Sequence, residues 1–402
     1  MICRTTLAIA IAISLSAGAP RAGAEPKYGP GVTDTEIKIG QTMPYSGPVS
    51  AARVIGESEV AYFKMINQQG GINGRLVTLI SLDDAYSPAK TLEQTRRLVE
   101  QDGVLAIFGS FGTPTNAAIQ KYLNSNHVPQ LFIQAGASRW NDPSRFPWTI
   151  PLVDLLRSEA RVYGQYILTT STDARVSVLY QNDDFGRDYL EGLTQKLGND
   201  TAHVIVATAA YEVSDPTIDS QILTLRSSGA DTLLIAASPK FAAQAIRKVA
   251  EIGWQPTEFV AQVSASVTAV LKIAGLDKSV GIMTATSSKS VGDPQWATDL
   301  DYLAWVAFMR SYYSNGNIND GLALVGYSNA TLFAEVLRRC GDNLTRENLM
   351  AVSTHLQGVH LPGLLPGITV NTSPTDYNPI KEMRLQRFDG QRWVLLPAIF
   401  DE

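Results

Sequence analysis

The residues best suited to chemistry lie between Leu105 and Tyr122, in the stretch LAIFGSFGTPTNAAIQKY. Leu105 to Phe108 is a short apolar run bounded by glycine, which predicts a buried strand. Thr113 then reads as a helix N-cap, Pro114 as the first helical residue, and Ala117, Ala118 and Ile119 as the start of the helix body. A helix that begins just past a strand directs unpaired N–H groups and the positive end of its dipole outward, which suits a carboxylate. An ordinary strand-to-helix turn in an α/β domain has the same pattern, so the stretch needs support from the rest of the chain.

Patterns for catalysis are weaker. Asp83-Asp84 and Asp183-Asp184 are adjacent pairs in loop-like sequence, where aspartates end strands and cap helices more often than they form an acid/base dyad. His355 and His360 stand five apart, His127 and His203 stand alone, and no cysteine or carboxylate set completes a zinc site. GSFGT lacks the residue order of a nucleophile elbow, and no phosphate loop or dinucleotide glycine fingerprint is present. The residues therefore predict binding rather than turnover, with no metal and no cofactor.

The elements that position Thr113 follow from the chain as a whole. Residues 1–24 read as a secretory signal peptide: Arg4, an apolar run from Leu7 to Leu15, then Ala22, Gly23 and Ala24 as the cleavage site. No cysteine stands at that site to carry a lipid anchor, and Cys340 is the only cysteine outside the signal, which leaves no internal disulfide. The 402 residues, 45% hydrophobic and 18% charged with a net charge of −5, suit a globular protein of two or three domains and disfavour nucleic acid as a partner.

Pro26 to Gly31 reads as a mobile leader. Beyond it, Glu36 to Thr42, Leu76 to Leu82, Leu105 to Phe108 and Leu131 to Ile133 predict strands. Helices lie between them, which is the signature of a parallel sheet covered on both faces. A second cycle follows. Helix Leu155 to Ile167 leads to strands at Val176 to Tyr180, His203 to Ala207, Thr232 to Ala236 and Glu258 to Ala261. Helices are expected at Trp296 to Tyr313 and Ala323 to Arg339, with a closing hairpin about Asp389-Gly390. The fold class is thus α/β, with two doubly wound parallel-sheet lobes joined by several chain crossings. The expected division is 33–150 with 281–358 for the first lobe and 151–280 with 359–402 for the second. Such crossings make a hinge with a cleft, and ligands of such sheets gather where the carboxyl ends of strands open into loops.

With that order in hand, the chain resembles the leucine/isoleucine/valine-binding type of periplasmic solute-binding proteins that serve ATP-driven (ABC) importers. The residues that carry the resemblance are IKIGQTMPYSGP, NQQGGINGRLVTLISLDDAYSP, FGSFGTPTN, QAGAS and LYQNDDFGRDYLEGL, in this order over most of the chain. The resemblance implies a monomeric periplasmic protein of type I binding-protein fold, with a small-molecule carboxylate as ligand and a membrane permease as partner. A sensor that hands its ligand-bound state to a receptor would share the cleft, and an exported enzyme on the same fold would consume its ligand.

It also implies a site. Thr113 and the loop at Ala137 and Ser138 would hold the ligand carboxylate, Phe111 and Gly112 would flank it, and Phe185 would stack over it from the second lobe. A core contact at a helix start explains Phe185 as well. Family members with a first-lobe disulfide carry cysteines where this chain has Tyr86 and Gly112. Tyr86 would then face the pocket, although a solvent-facing loop tyrosine is the default. Amino-acid binders place an acid in the segment matching VAQVSAS, at or beside Val263, and here Gln262, Val263 and Ser264 are uncharged. A buried ammonium without a counter-charge costs several kcal/mol, so the expected ligand is an aromatic or other hydrophobic acid without an amino group. Asp183, Asp184 or Glu212 would restore amino-acid binding if the loops bring one of them in, and Ser238 is a polar contact on the same side.

Overall fold

The computed structural model describes residues 27–153 and 155–401, so the expected signal peptide lies outside the described residues. In the first lobe, five strands run parallel in the order Leu76–Asp83, Glu36–Met43, Ile107–Phe108, Gln130–Ile133, Thr149–Pro151. Ile37, Ile39, Phe108, Leu131 and Phe132 have no exposed surface, as expected when helices cover both faces of a sheet. The strand order reverses direction between Glu36–Met43 and Ile107–Phe108. The loops after these two strands diverge there and leave a crevice.

The second sheet repeats the plan. Its order is Trp393–Asp401, Glu382–Phe388, Met283–Thr286, Thr257–Val260, Thr232–Ala236, Val176–Gln181, Ile205–Tyr211. The first two strands are antiparallel to their neighbours and the rest are parallel. The reversal falls between Val176–Gln181 and Thr232–Ala236, so a second crevice opens beside Gln181 and Ala236. Among the described residues no helix is long and apolar enough to cross a membrane.

Three expectations are corrected. Met283–Thr286 lies in the second sheet rather than the first lobe, held between Thr257–Val260 and Glu382–Phe388. Residues 359–380 go the other way: Val359, Leu361, Leu364, Val370 and Ile380 are buried in the first-lobe core. The chain therefore crosses after Thr286 and again before Glu382. The leader is pinned rather than mobile from Lys27 onward, because Lys27–Tyr28 pairs in parallel with Asn343–Leu344 and Gly29 N–H donates to Leu344 O at 2.9 Å.

Two helices fix the floor of the first lobe. Arg53–Gln68 and Gly321–Cys340 pack so closely at Gly326 that a Cβ there would stand 2.4 Å from Ile55 O. Beneath them Phe108 and Phe333 stack with centroids 4.5 Å apart. Glu59 is fully buried in this floor, accepting from Gln41 Nε2 and from Asn329 Nδ2 at 2.6 Å, and burial pushes its carboxyl up to about 8. Gly326→Ala should destabilise the protein by about 1–3 kcal/mol in denaturant titration, because backbone must move to admit the methyl. A second prediction concerns pH. Glu59 keeps its proton in the folded state between the ordinary carboxyl range and about 8, where the unfolded chain has released it. Folding stability should therefore fall as pH rises from 5 to 8, with Glu59 contributing on the order of 1–3 kcal/mol. Glu59→Gln should lessen that slope without abolishing it, since burial raises Glu159 and Glu258 in the same direction, and an unaltered slope would exclude Glu59 as a contributor.

Candidate functional site

The two crevices face each other across a cavity of about 450 Å³, within the range of small-molecule sites. From the first lobe it is lined by Phe111, Gly112 and Thr113, by Tyr86, and by Gln134, Ala135 and Gly136 after strand Gln130–Ile133. From the second lobe come Gln181, Phe185, Tyr189, Ser238, Gln262 and Val263. Leu152, Leu156 and Ile380 line it where the chain crosses between lobes.

Thr113 is the first residue of helix Thr113–Ser125 rather than its N-cap. Gly112 takes the cap position with φ of 95°, a left-handed value that favours glycine. The first turn is braced from within: Thr115 Oγ1 donates to Phe111 O at 2.5 Å, and Asn116 Nδ2 to Gly112 O at 2.8 Å. Thr113 itself is 3% exposed, and its hydroxyl takes no protein partner among the described residues. A donor at a helix start thus stands at the cavity wall with nothing to bind.

Opposite it, Asp183 caps helix Asp184–Leu197 by accepting from Phe185 N–H at 3.0 Å, which sets the Phe185 ring at the wall, edge-on to Tyr189. Tyr86 turns inward from a residue with φ of 59°, facing Gln181 and Asp183 across the cleft, and burial pushes its hydroxyl well above the ordinary range. Ser238 also lines the cavity, with its hydroxyl 3.1 Å from Tyr211 Oη, which in turn donates to Gln181 Oε1 at 3.0 Å. Val263 packs against the apolar groups around Phe111.

Ala137 and Ser138 do not line the cavity, contrary to expectation. Ala137 is wholly buried, and Ser138 is already holding a carboxylate of the protein's own. Its N–H donates to Asp188 Oδ2 and its hydroxyl to Asp188 Oδ1 at 2.8 Å, while Arg157 Nε bonds the same oxygen at 2.7 Å. Beside this contact Arg139 pairs with Asp184 at 2.6 Å. These residues clasp the two lobes together instead of reaching a ligand.

Sequence reasoning also missed many of the lining residues, Gln134, Asn329 and Glu159 among them. Gln134 and Asn329 carry buried amides, and among the described residues Glu159 is the one acidic side chain in the lining. Glu159 accepts from Tyr163 Oη, from Tyr189 Oη at 2.6 Å and from Gln262 N–H at 2.8 Å, and burial pushes its carboxyl up to about 7. Its apolar neighbours on the helix, Leu156, Ala160 and Tyr163, were the available signal. The other acids considered are committed elsewhere: Asp184 to Arg139, Asp183 to its cap, and Glu212 to Asn182 Nδ2 at 2.5 Å. Lys289 and Arg392, the cations in the lining, pair with Asp299 at 2.8 Å and Asp293 at 2.9 Å. Among the described residues no group of three or more His, Cys, Asp or Glu is gathered as for a metal.

Comparison with known proteins agrees with this geometry. The chain is 24% identical over 269 residues to Leu/Ile/Val-binding protein homolog 7 of Brucella abortus (strain 2308), a match that spans 62% of this chain and 62% of that relative. A branched chain amino acid ABC transporter protein from Thermus thermophilus, solved with bound valine, superposes with a TM-score of 0.83 at 16% identity, covering 92% of this chain and 98% of that one. A solute binding protein of an ABC transporter from Rhodopseudomonas palustris BisB5, solved with 3,4-dihydroxy benzoic acid, gives a TM-score of 0.76 at 19% identity, covering 91% and 97%. At these identities both structures speak for the fold alone. The family model described as periplasmic binding protein matches residues 36–392, and with two lobes, two facing strand reversals and a cavity between them, the chain belongs to the periplasmic binding protein family.

Proposed function

We propose that this protein is the periplasmic solute-capturing component of an ABC importer, and that its lobes close on a small carboxylate with an apolar or aromatic body, which is passed unchanged to a membrane permease. The observation that carries this reading is the Thr113 hydroxyl, buried at a helix start on the cavity wall with no partner among the described residues. An anion there gains the hydroxyl and the positive end of the helix. Val49, Ile55, Phe111, Leu152 and Phe185 supply apolar walls for the rest of the molecule.

The fold neighbours hold valine in one case and an aromatic acid in another, so the fold does not choose between them. The lining favours an acid without an amino group. Its one acidic side chain among the described residues, Glu159, already accepts three hydrogen bonds and sits where burial disfavours its charge. The ligand would dock first on the first lobe at Thr113 and Gly112. Closure would then add Phe185 and Val263, so the closed state is favoured by contacts the open state lacks.

Two measurements test this. In a thermal-shift screen of aliphatic amino acids, aromatic acids, amides and dicarboxylates, aromatic acids should raise the melting temperature, because binding to the folded state stabilises it. A shift with leucine and none with its des-amino counterpart would overturn the ligand class. Thr113→Ala should weaken binding of the stabilising acid by about 1–3 kcal/mol in calorimetric titration. Folding stability should hardly change, since the hydroxyl bonds no protein group. Equal affinity in the variant would remove Thr113 from the site.

A further inference from the structure

Helix Asp184–Leu197 carries Phe185 and Tyr189, which line the cavity, and within the same two turns Asp184 and Asp188, which do not. On the facing wall Gln134, Ala135 and Gly136 line the cavity, and Ser138 follows two residues later. The wall of the cleft and the contact of Ser138 with Asp188 are therefore borne by the same two pieces of chain. Lobes that part far enough to lift Phe185 off the cavity also draw Asp188 away from Ser138.

Two acids of the helix meet the first lobe at this seam, and burial decides between them. Arg139 and Asp184 pair at 2.6 Å with side chains 36% and 44% exposed, where an ion pair contributes little. Asp188 is 5% exposed, and both its oxygens are held: Oδ2 by the Ser138 N–H, Oδ1 by the Ser138 hydroxyl at 2.8 Å and by Arg157 Nε at 2.7 Å. Ala137 and Trp140 are buried with Phe185 and Tyr189 in one apolar cluster beside it. A charged acceptor held by three donors out of water is the strong case of a hydrogen bond, and removing it would strand all three donors.

We propose that Asp188 is a tethered anion, a carboxylate that the second lobe supplies where a small free acid would otherwise fit, and that it latches the lobes closed before any solute arrives. The seat offers a backbone N–H, a hydroxyl and a guanidinium nitrogen, donors that match the two oxygens of a carboxylate whether or not a helix delivers it. Cut back to alanine at 188, the seat takes up a free carboxylate as small as formate. A solute enters only while the latch is open, so it binds an open minority that closes again around it. This inference rests on the two-lobed fold and is independent of which solute the cleft takes.

The test is the distance between spin labels at Arg53→Cys and Ser214→Cys, measured without added solute. Both positions are exposed, one on each lobe beside the apolar contact of Val213 with Val49 and Ile55, and the native Cys340 is buried. The short, closed distance should predominate in the parent chain. Asp188→Ala should lower the ratio of closed to open about tenfold or more, and so should Asp188→Asn, which keeps the shape of the side chain without its charge. Formate should restore the short distance in Asp188→Ala saturably, chloride at equal ionic strength should not, and adding Ser138→Ala should abolish the rescue. Should Asp188→Ala fold poorly, formate should raise its melting temperature, and Asp188→Asn supplies the distance. A parent chain that is mostly open, variants as closed as the parent, or an Asp188→Ala chain that formate neither closes nor stabilises overturns the tethered anion.

Discussion

The helix that begins at Thr113 cannot satisfy its own first amides, and the strand order of the first sheet turns that end into the space between the lobes. Most of the site is arranged around this shortage of acceptors. Gly112 accepts a left-handed backbone so that the chain can turn from strand into helix, and Thr115 and Asn116 consume the nearby carbonyls. With those carbonyls occupied, the wall at Thr113 presents donors, which is the polarity an incoming anion requires.

The Ser138 contact shows the same chemistry used for another end. Its N–H and hydroxyl form a two-donor seat for a carboxylate, and the second lobe fills that seat with Asp188, backed by Arg157. The lobes are thus joined near the crossings by a charge-assisted contact, while the cavity end at Thr113 is left without an internal anion. The Ser138 seat thus serves the contact between lobes, and in the proposed reading the Thr113 end serves the ligand.

What could be read from the sequence follows from how local each feature is. Strands and helices of both lobes were legible because their apolar residues repeat at short intervals, and Phe111, Gly112 and Thr113 were legible because a strand, a turn and a helix start are contiguous. Ser138 misled because its partner, Asp188, is 50 residues away on the other lobe. Gln134 and Asn329 gave no sign, since a buried amide in a helix or at a strand end has the same letter as an exposed one, and Glu159 was signalled only by the apolar neighbours on its helix. The lobe boundaries failed at Met283–Thr286 and at 359–380 for a related reason. A four-residue strand fits either sheet, and the segment after Val359 has no period by which to assign it.

Tyr86 and Gly112 occupy the positions where relatives with a first-lobe disulfide are expected to carry cysteines, and their geometry explains why they occur together. A Cβ at 112 would stand 2.4 Å from Tyr86 Cε2, so the ring can lie against this turn only if residue 112 has no side chain. Gly112 therefore meets two requirements at once, the left-handed φ and the clearance for the ring. Tyr86, itself at φ of 59°, is held against Phe111 with centroids 6.3 Å apart, so the turn has an aromatic brace. A disulfide would tie the same two loops together but present little surface to the cavity. The tyrosine ties them and also lends the cleft an aromatic wall with a hydroxyl at its edge.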